Sequence, residues 1–436
     1  TRDQLRFLTC GSVDDGKSTL IGRLLHDSKM IYEDQLKALQ RDSARHGTTG
    51  DDIDFALLVD GLEAEREQGI TIDVAYRYFA TPTRKFVLAD CPGHVQYTRN
   101  MATGASTADL ALVVVDVANG LREQTRRHAC IAALLGVDQF LVCANKMDLV
   151  GWAEGSYRRV ADEMAALAAR LGLGSCTVVP VSALHGDNVV TAGDAASYEG
   201  PTVLEALEAA PAGGWAAAHG RHRASRARLP VQWVLRRPGR GRSYAGMVNG
   251  GPLSTGDEVV VLPGGRRTTV ATIETFNGPL ESAPVGLSVS VALADDLDVS
   301  RGDVLATASE PPAVVTELEA TVCWFGERPL RAGDRLRVKH TTRTTPARVT
   351  AVAHRLDVNE LQLLPAEELG DNDIGVVSLV TATPLAVDPY AQNRVTGSFV
   401  LADEGTNATL AAGMVGPPEL AEPAELAEPA TPTGGG

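Results

Sequence analysis

The chain has 436 residues, 44% of them hydrophobic, and its 40 basic and 55 acidic side chains give a formal charge of −15. This length suggests two to four domains, and the acidic balance argues against a protein whose main task is to grip nucleic acid. The sequence contains no apolar run of about 18 residues, so we expect neither a membrane-spanning helix nor a signal segment. Six cysteines without a CxxC pair favour buried, reduced thiols and a cytoplasmic protein.

The first half of the chain alternates strand-like and helix-like segments. Apolar β-rich runs predict strands at 5–10, 74–79, 86–89, 110–116, 140–144 and 177–181. Helix-like patterns occur near 19–27, 96–106, 121–136, 157–172 and 202–210. Strands that are apolar throughout and alternate with helices are typical of a mainly parallel sheet covered on both faces. Residues 1–212 are therefore predicted to form one α/β domain. The motifs described below predict that it is a P-loop GTPase domain.

The composition changes after residue 212. The stretch 213–228 is rich in glycine, alanine and arginine, lacks acidic residues and is predicted to be a linker. Short strand candidates separated by turns follow, including a hairpin with Gly264 and Gly265 at its bend. We predict two all-β barrel domains, at 229–310 and 311–414. The acidic segment 415–436 is predicted to be a disordered tail or a linker.

A phosphate-binding loop follows the first strand. The sequence GSVDDGKS matches GxxxxGK[ST], in which glycines let backbone N–H groups face a pyrophosphate at a helix N-terminus. Lys17 can reach the β- and γ-phosphates, and the Ser18 hydroxyl can bind Mg²⁺. The predicted nucleotide contacts here are Gly11, Ser12, Val13, Asp14, Asp15, Gly16, Lys17, Ser18 and Thr19.

A second motif closes the apolar run at 86–89 and consists of Asp90, Cys91, Pro92, Gly93 and His94. Asp90 is placed to hold Mg²⁺ through water, and the Gly93 N–H is placed to meet a γ-phosphate. His94 is expected to orient the attacking water, the alternative being an ordinary surface histidine. Thr71, within residues 65–73, is the candidate for a switch threonine that closes over Mg²⁺ and the γ-phosphate. Its alternative is an ordinary threonine before a strand.

Two further motifs predict that the base is guanine. Asn145, Lys146, Met147 and Asp148 close the apolar run at 140–144, and Ser182, Ala183 and Leu184 close the run at 177–181. The Asp148 carboxylate can accept hydrogen bonds from guanine N1–H and the 2-amino group, a donor pair that adenine lacks. A backbone N–H of the second motif can approach guanine O6. All four motifs fall at C-terminal strand ends, where open α/β sheets bind ligands, so GTP and Mg²⁺ are the expected cofactors.

These motifs, in this order and followed by two barrels, resemble the translational-factor GTPases, and within them the GTPase subunit of bacterial ATP sulfurylase. The likeness spans nearly all of residues 1–416. The stretches that carry it are 11–29, 54–79, 93–111, 123–128, 243–251, 296–305 and 388–403. The double aspartate of GSVDDGKS is more specific than the general GTPase motifs. The sequence departs from the family at Cys91, where threonine is common, and a thiol beside the γ-phosphate is expected to make the protein sensitive to alkylation.

The resemblance implies a hetero-oligomer with a separate, smaller catalytic subunit that binds ATP and sulfate. That subunit would make adenosine 5′-phosphosulfate and pyrophosphate, and GTP hydrolysis in this chain would drive the reaction. Neither nucleic acid nor a membrane is an expected partner. The alternative is an elongation-factor-like GTPase that delivers aminoacyl-tRNA, and a ribosome-associated or selenocysteine-type GTPase is a third possibility. The acidic charge and the DDGKS loop count against the alternative. The interface, the stoichiometry and the order of the two reactions stay open.

Overall fold

The structure is a computed structural model that describes residues 3–28, 55, 73–193, 198–212, 226–237 and 241–418. Contacts divide the chain into two compact units, one within residues 1–214 and the other within residues 215–418. None of the described helices combines the length and the apolar character that a membrane crossing requires.

The first unit contains a six-stranded sheet. Its strands are β1 (Gln4–Gly11), β2 (Ala75–Ala80), β3 (Lys85–Asp90), β4 (Leu110–Asp116), β5 (Gln139–Asn145) and β6 (Ser175–Pro180). They lie in the order β2-β3-β1-β4-β5-β6, with β2 antiparallel to β3 and all other neighbours parallel. Every residue of β4 and β5 is buried, as expected of strands covered on both faces. The predicted mainly parallel sheet is confirmed.

Five described helices accompany this sheet. They are α1 (Lys17–Asp27), α2 (Thr98–Ala105), α3 (Glu123–Leu134), α4 (Glu154–Leu171) and α5 (Val203–Ala209). Apolar residues of α1 and α5 share one core cluster with Phe7 of β1 and Leu112 of β4. Leu8 and Cys10 alternate with Phe7 and are buried outside that cluster, and α2 and α3 contact β1. Because alternate strand residues point to opposite faces, both faces of the sheet are covered.

The carboxyl edge of this sheet gathers the chain segments that matter for function. β1, β3, β4 and β5 end at Gly11, Asp90, Asp116 and Asn145. The parallel register sets Thr9 opposite Asp90 and sets Asp116 opposite Asn145. The loops that follow these strands therefore meet at one edge, as in other open α/β sheets.

The second unit begins with a β-barrel. Its strands are β7 (Arg228–Pro230), β8 (Trp233–Arg237), β9 (Gly241–Met247), β10 (Leu253–Ser254), β11 (Glu258–Leu262), β12 (Arg266–Thr275), β13 (Gly278–Leu280), β14 (Ser282–Ala283), β15 (Ser288–Leu293) and β16 (Val304–Thr307). The main sheet runs β7-β16-β11-β12-β15-β9-β8. Two backbone hydrogen bonds of 2.8 Å between Arg228 of β7 and Asn249, which follows β9, bring the two ends of this order together. The hairpin predicted at Gly264 and Gly265 joins β11 to β12, with Gly265 at a φ of 73°.

A second barrel follows in the same unit. Its strands are β17 (Ala313–Trp324), β18 (Leu330–Arg331), β19 (Arg335–His340), β20 (Arg343–Asp357), β21 (Gln362–Pro365), β22 (Glu368–Leu369), β23 (Ile374–Val387), β24 (Ser398–Ala402) and β25 (Thr409–Val415). The order β19-β24-β25-β17-β23-β20 closes through pairing of β19 with β20. Gly416 exchanges backbone hydrogen bonds with Glu319 and Thr321, so the backbone pairing of this barrel includes Gly416. Residues 419–436 of the predicted tail lie outside the described residues.

Candidate nucleotide-binding site

The phosphate loop, residues 11–18, connects β1 to α1 at the carboxyl edge of the first sheet. It turns through Asp14 and Gly16, whose φ values are 66° and 90°. A Cβ on Gly16 would lie 2.3 Å from Asn145 Nδ2, so glycine is required there. α1 begins at Lys17 without a side-chain cap, which leaves its first N–H groups available to bind an anion.

Three hydrogen bonds that involve buried side chains hold this loop in shape. The Ser12 N–H donates to Asp15 Oδ2 at 3.0 Å, and Asn145 Nδ2 donates to the Asp15 carbonyl at 2.8 Å. Ser12 Oγ lies 2.9 Å from Thr125 Oγ1 in α3. Burial raises the pKa of the Asp15 carboxyl to about 6. Asp15 therefore supports the loop from within, whereas the sequence predicted it only as a nucleotide contact.

Lys17 and Asp90 form a buried ion pair that joins the phosphate loop to the end of β3. Asp90 Oδ1 accepts from Lys17 Nζ and also from Thr9 Oγ1, the latter at 3.1 Å. Asp90 Oδ2 is buried and has no hydrogen-bond partner among the described residues. A buried carboxylate oxygen without a donor suits a cation or a water molecule bound to one. With Ser18 in the first turn of α1, the residues present fit the expected Mg²⁺.

Gly93 lies directly against the phosphate loop, and a Cβ there would be 3.0 Å from the Gly11 carbonyl oxygen. The next residue, His94, is partly buried, and its Nδ1 has no hydrogen-bond partner in the described part of the chain. The His94 ring centroid is 6.5 Å from that of Tyr97. These contacts bring the motif that begins at Asp90 to the loop. Thr71 lies outside the described residues, so its switch role stays a prediction.

Lys146 joins the loop after β5 to the phosphate loop. At a φ of 66°, it donates from Nζ to the Asp14 carbonyl at 2.6 Å and to Asp116 Oδ2 at 2.9 Å. Burial alone would raise the pKa of Asp116. Hydrogen bonds from Lys146 and the Ala118 N–H outweigh it, so the pKa lies below its ordinary value. Asp116 thus stays ionised and keeps Lys146 in place.

The motifs predicted to recognise the base lie beside this contact. Asn145 Oδ1 accepts the Ala183 N–H at 3.0 Å, which links the loops after β5 and β6. The Ala183 N–H is thus already hydrogen-bonded. The Leu184 N–H is the one in this motif that has no acceptor among the described residues. Met147 is buried. The Asp148 carboxylate is partly exposed and accepts no hydrogen bond from the described residues, as base recognition requires.

Cys91 does not behave as the sequence suggested. Its side chain is fully buried, its Sγ is 3.6 Å from the Ala89 carbonyl oxygen, and a Cβ on Gly104 would lie 2.4 Å from that sulfur. Burial raises the pKa of the thiol well above its ordinary value, and the neighbouring Cys10 and Asp90 add to the rise. Because the thiolate is the reactive form, this burial and raised pKa argue against the expected sensitivity to alkylation.

Four residues that support the site were not singled out from the sequence: Thr9, Asp116, Thr125 and His128. Asp116 closes an apolar strand just as Asp90 does, so the same rule could have found it. Thr125 and His128 lie in α3 with both side chains fully buried. They lie in the stretch 123–128 that carries the family resemblance, but their own pattern, polar residues at i and i+3, is equally typical of an exposed helix face.

Comparison with known proteins agrees with this geometry. The Elongation factor Tu GTP binding domain matches residues 2–211, and the GTP-eEF1A C-terminal domain-like family matches residues 317–416. Sulfate adenylyltransferase subunit 1 of Aeromonas hydrophila is 52% identical over 412 residues, which cover 94% of this chain and 86% of that protein. The subunit 1 of Methylorubrum populi is 50% identical over 416 residues, 95% of this chain and 87% of its own length.

The bifunctional enzyme CysN/CysC of Mycobacterium tuberculosis is 52% identical over 418 residues, 94% of this chain and 67% of its own length. Among solved structures, Sup35 complexed with GMPPNP covers 95% of this chain and 94% of its own. Its sequence identity is 23% and its TM-score is 0.42, a value too low to carry an argument.

Proposed function

This chain belongs to the sulfate adenylyltransferase subunit 1 family, and from that premise we propose that it is the GTP-hydrolysing subunit of a sulfate adenylyltransferase. One observation carries the proposal: the ends of three parallel strands, β1, β3 and β5, and the loops that follow them bring Lys17, Asp90, Asn145 and Asp148 to one edge of the sheet. Backbone N–H groups at a helix N-terminus and the Lys17 ammonium suit a triphosphate. The open Asp148 carboxylate suits guanine.

GTP with Mg²⁺ is the proposed substrate complex. Ser18 would bind the cation directly and Asp90 would hold it through water, with Thr71 as the third proposed ligand. When bound, Mg²⁺ neutralises charge that develops on the β- and γ-phosphates. Lys17 supplies positive charge to the same oxygens. In the structure its partner is Asp90 Oδ1, so phosphate binding would exchange one anionic partner of Lys17 for another.

His94 is proposed to orient the attacking water. It directly follows Gly93, which lies against the phosphate loop, and its buried Nδ1 has no partner among the described residues. A side chain at this position that can both accept and donate a hydrogen bond suits a water molecule that must lose a proton.

The partner is proposed to be a smaller catalytic subunit that joins sulfate to the adenylyl group of ATP and releases pyrophosphate. A phosphoric–sulfuric anhydride is a high-energy linkage, so its formation with pyrophosphate release is uphill. GTP hydrolysis can drive it only if the two sites are linked and each ligand favours one of the linked states. Segments that order around a γ-phosphate and relax after hydrolysis are a known device for such a link.

The proposed setting is a cytoplasmic hetero-oligomer. The six cysteines, all described, form no disulfide with one another, and five of them are buried, which suits a reducing compartment. Delivery of aminoacyl-tRNA is the less favoured alternative, since the relatives at about 50% identity over most of the chain are named sulfate adenylyltransferase subunit 1.

The decisive experiment purifies this chain together with the candidate partner and measures pyrophosphate release from ATP and sulfate. We expect release that depends on GTP, is absent with a non-hydrolysable GTP analogue and is absent with either protein alone. Partner-dependent synthesis that ignores GTP would contradict the proposal. GTP-dependent retention of aminoacyl-tRNA in a filter assay would support the alternative instead.

A further inference from the structure

Arg122, Thr125 and His128 form one polar stripe along α3. Through this stripe the helix contacts the first half of the phosphate loop. Thr125 Oγ1 bonds Ser12 Oγ at 2.9 Å, and both side chains are buried. Arg122, which precedes the first turn of α3, donates to the Val13 carbonyl at 3.5 Å. Residues three apart lie on the same side of a helix. The loop therefore lies along the amino-terminal end of α3, and the next residue of the stripe is His128.

The protonation of His128 follows from its neighbour Gln124. The Gln124 Nε2 lies 2.7 Å from His128 Nε2, and an amide nitrogen can only donate, so the ring Nε2 accepts and the ring proton resides on Nδ1. Burial lowers the pKa of His128 to about 3, with the charges of Arg127 and Lys17 adding to the shift. The imidazole is therefore neutral at physiological pH and keeps one N–H donor on Nδ1.

The backbone of Gly11 acts against burial and raises the pKa of His128, so the ring lies near the start of the phosphate loop. Nδ1 is buried and makes no hydrogen bond of standard geometry within the described residues. The Gly11 carbonyl oxygen would lie 3.0 Å from a Cβ on Gly93. The start of the phosphate loop therefore packs against Gly93.

We propose that Thr125 is a positioning residue for GTP hydrolysis and that the Nδ1 donor of His128, next on the same stripe, assists it. From α3, Thr125 fixes the Ser12 hydroxyl and thereby the first half of the phosphate loop. This inference rests on the proposed function, because it assigns the two side chains to the same guanine nucleotide site. Thr125 acts through the Ser12 hydroxyl, and neither Thr125 nor His128 is among the residues predicted to contact the nucleotide.

Thr125→Val tests the hydroxyl contact because valine keeps the shape of threonine and removes the donor and acceptor. The Ser12 hydroxyl is then left buried without its partner, and we expect a fluorescent GDP analogue to dissociate roughly tenfold faster. Thr125→Ser keeps the hydroxyl and is expected to stay within about twofold of the parent chain. Stopped-flow displacement by excess GDP measures the rates, and thermal unfolding is recorded for each variant.

The matched control is Thr103 of α2, whose exposed hydroxyl bonds only the Arg99 carbonyl one turn back. Thr103→Val is expected to leave dissociation unchanged. Equal dissociation rates for Thr125→Val, Thr125→Ser and the parent chain would overturn the inference. If the parent chain binds no guanine nucleotide, the proposed function itself fails, which is a separate result.

A second pair of variants tests His128. Asn offers an amide N–H near the position of Nδ1, whereas Leu offers none, so His128→Asn is expected to retain most of the GTPase turnover that His128→Leu loses. Equal losses in both variants would contradict a positioning role for the donor. Should Thr125→Val fail to fold, Ser12→Ala removes the same hydroxyl pair from the loop side and is expected to accelerate dissociation to a similar extent.

Discussion

A buried ion pair joins the two barrels of the second unit, and Asp388→Ala is the change that tests its contribution. Arg228 of β7 donates from Nε and Nη2 to the two carboxylate oxygens of Asp388, each at 3.0 Å. The side chains are 2% and 7% exposed. Asp388 also accepts from Thr396 Oγ1 at 2.6 Å, and Arg228 also donates to the Glu310 carbonyl at 2.8 Å.

The magnitude follows from these contacts. Alanine at 388 removes two charge-assisted hydrogen bonds and leaves the guanidinium buried without a counter-ion, and breaking such a pair costs about 3–5 kcal/mol. Asp388→Asn keeps one acceptor oxygen and is expected to cost about 1–3 kcal/mol. The exposed pair between Arg331 and Glu368 is the control, because Glu368→Ala is expected to cost about 0–1 kcal/mol.

Urea unfolding followed by tryptophan fluorescence and circular dichroism measures these free energies of unfolding. The reasoning is refuted if Asp388→Ala destabilises the protein no more than Glu368→Ala. A double variant, Arg228→Met with Asp388→Leu, removes both charges together. It is expected to recover most of the lost stability, because the cost comes mainly from an unpaired buried charge and not from the absence of the pair.

Four further predictions concern the nucleotide site. Lys17→Ala is expected to abolish GTP hydrolysis and GTP-driven pyrophosphate release, and full activity would refute the site. Asp148→Asn is expected to shift preference from GTP to XTP, since asparagine offers a donor where xanthine has a carbonyl; competition binding measures it, and unchanged GTP affinity would contradict the assignment. His94→Ala is expected to slow hydrolysis far more than it weakens nucleotide affinity, and equal losses in single-turnover and binding assays would indicate a binding role. Without nucleotide, Asp15 and His128 are expected to give opposite pH dependences. The pKa of Asp15 is raised to about 6, so the contribution of Asp15 to stability falls as pH rises through 6. The pKa of His128 is lowered to about 3, so the contribution of His128 to stability falls as pH drops below about 6.5. Unfolding free energies of Asp15→Asn and His128→Asn against the parent chain between pH 5 and pH 8 test both signs.

The architecture of the first unit was predictable because its strands are apolar on both faces. An apolar run such as that of β4 is buried at all seven residues. Once helix-like segments flank such a run, few structures other than a central parallel strand fit it. The strand ends followed from the same pattern, and with them the edge at which Asp90 and Asn145 lie. The domain boundaries stay predictions, although β7 already begins at Arg228, a residue assigned to the linker.

Burial of side chains in particular loops was not predictable. Cys91 follows a strand end, where a thiol can be exposed or buried, and only the packing of Gly104 against its sulfur decides the case. Asp15 appeared as one of two equivalent aspartates. The structure separates them, because Asp15 is buried and accepts the Ser12 N–H, while Asp14 contributes its carbonyl to Lys146.

The difference between the residues that were found and those that were missed has a chemical cause. Asp148 and Lys17 are predicted to meet the nucleotide itself, so its donors, acceptors and charges restrict which side chains can stand there, and the restriction is visible as a motif. Thr125 and His128 meet the protein backbone and a serine hydroxyl, partners that many side chains could satisfy from many positions. A single sequence therefore shows the groups that contact the ligand, and a three-dimensional arrangement is needed to show the groups that hold them.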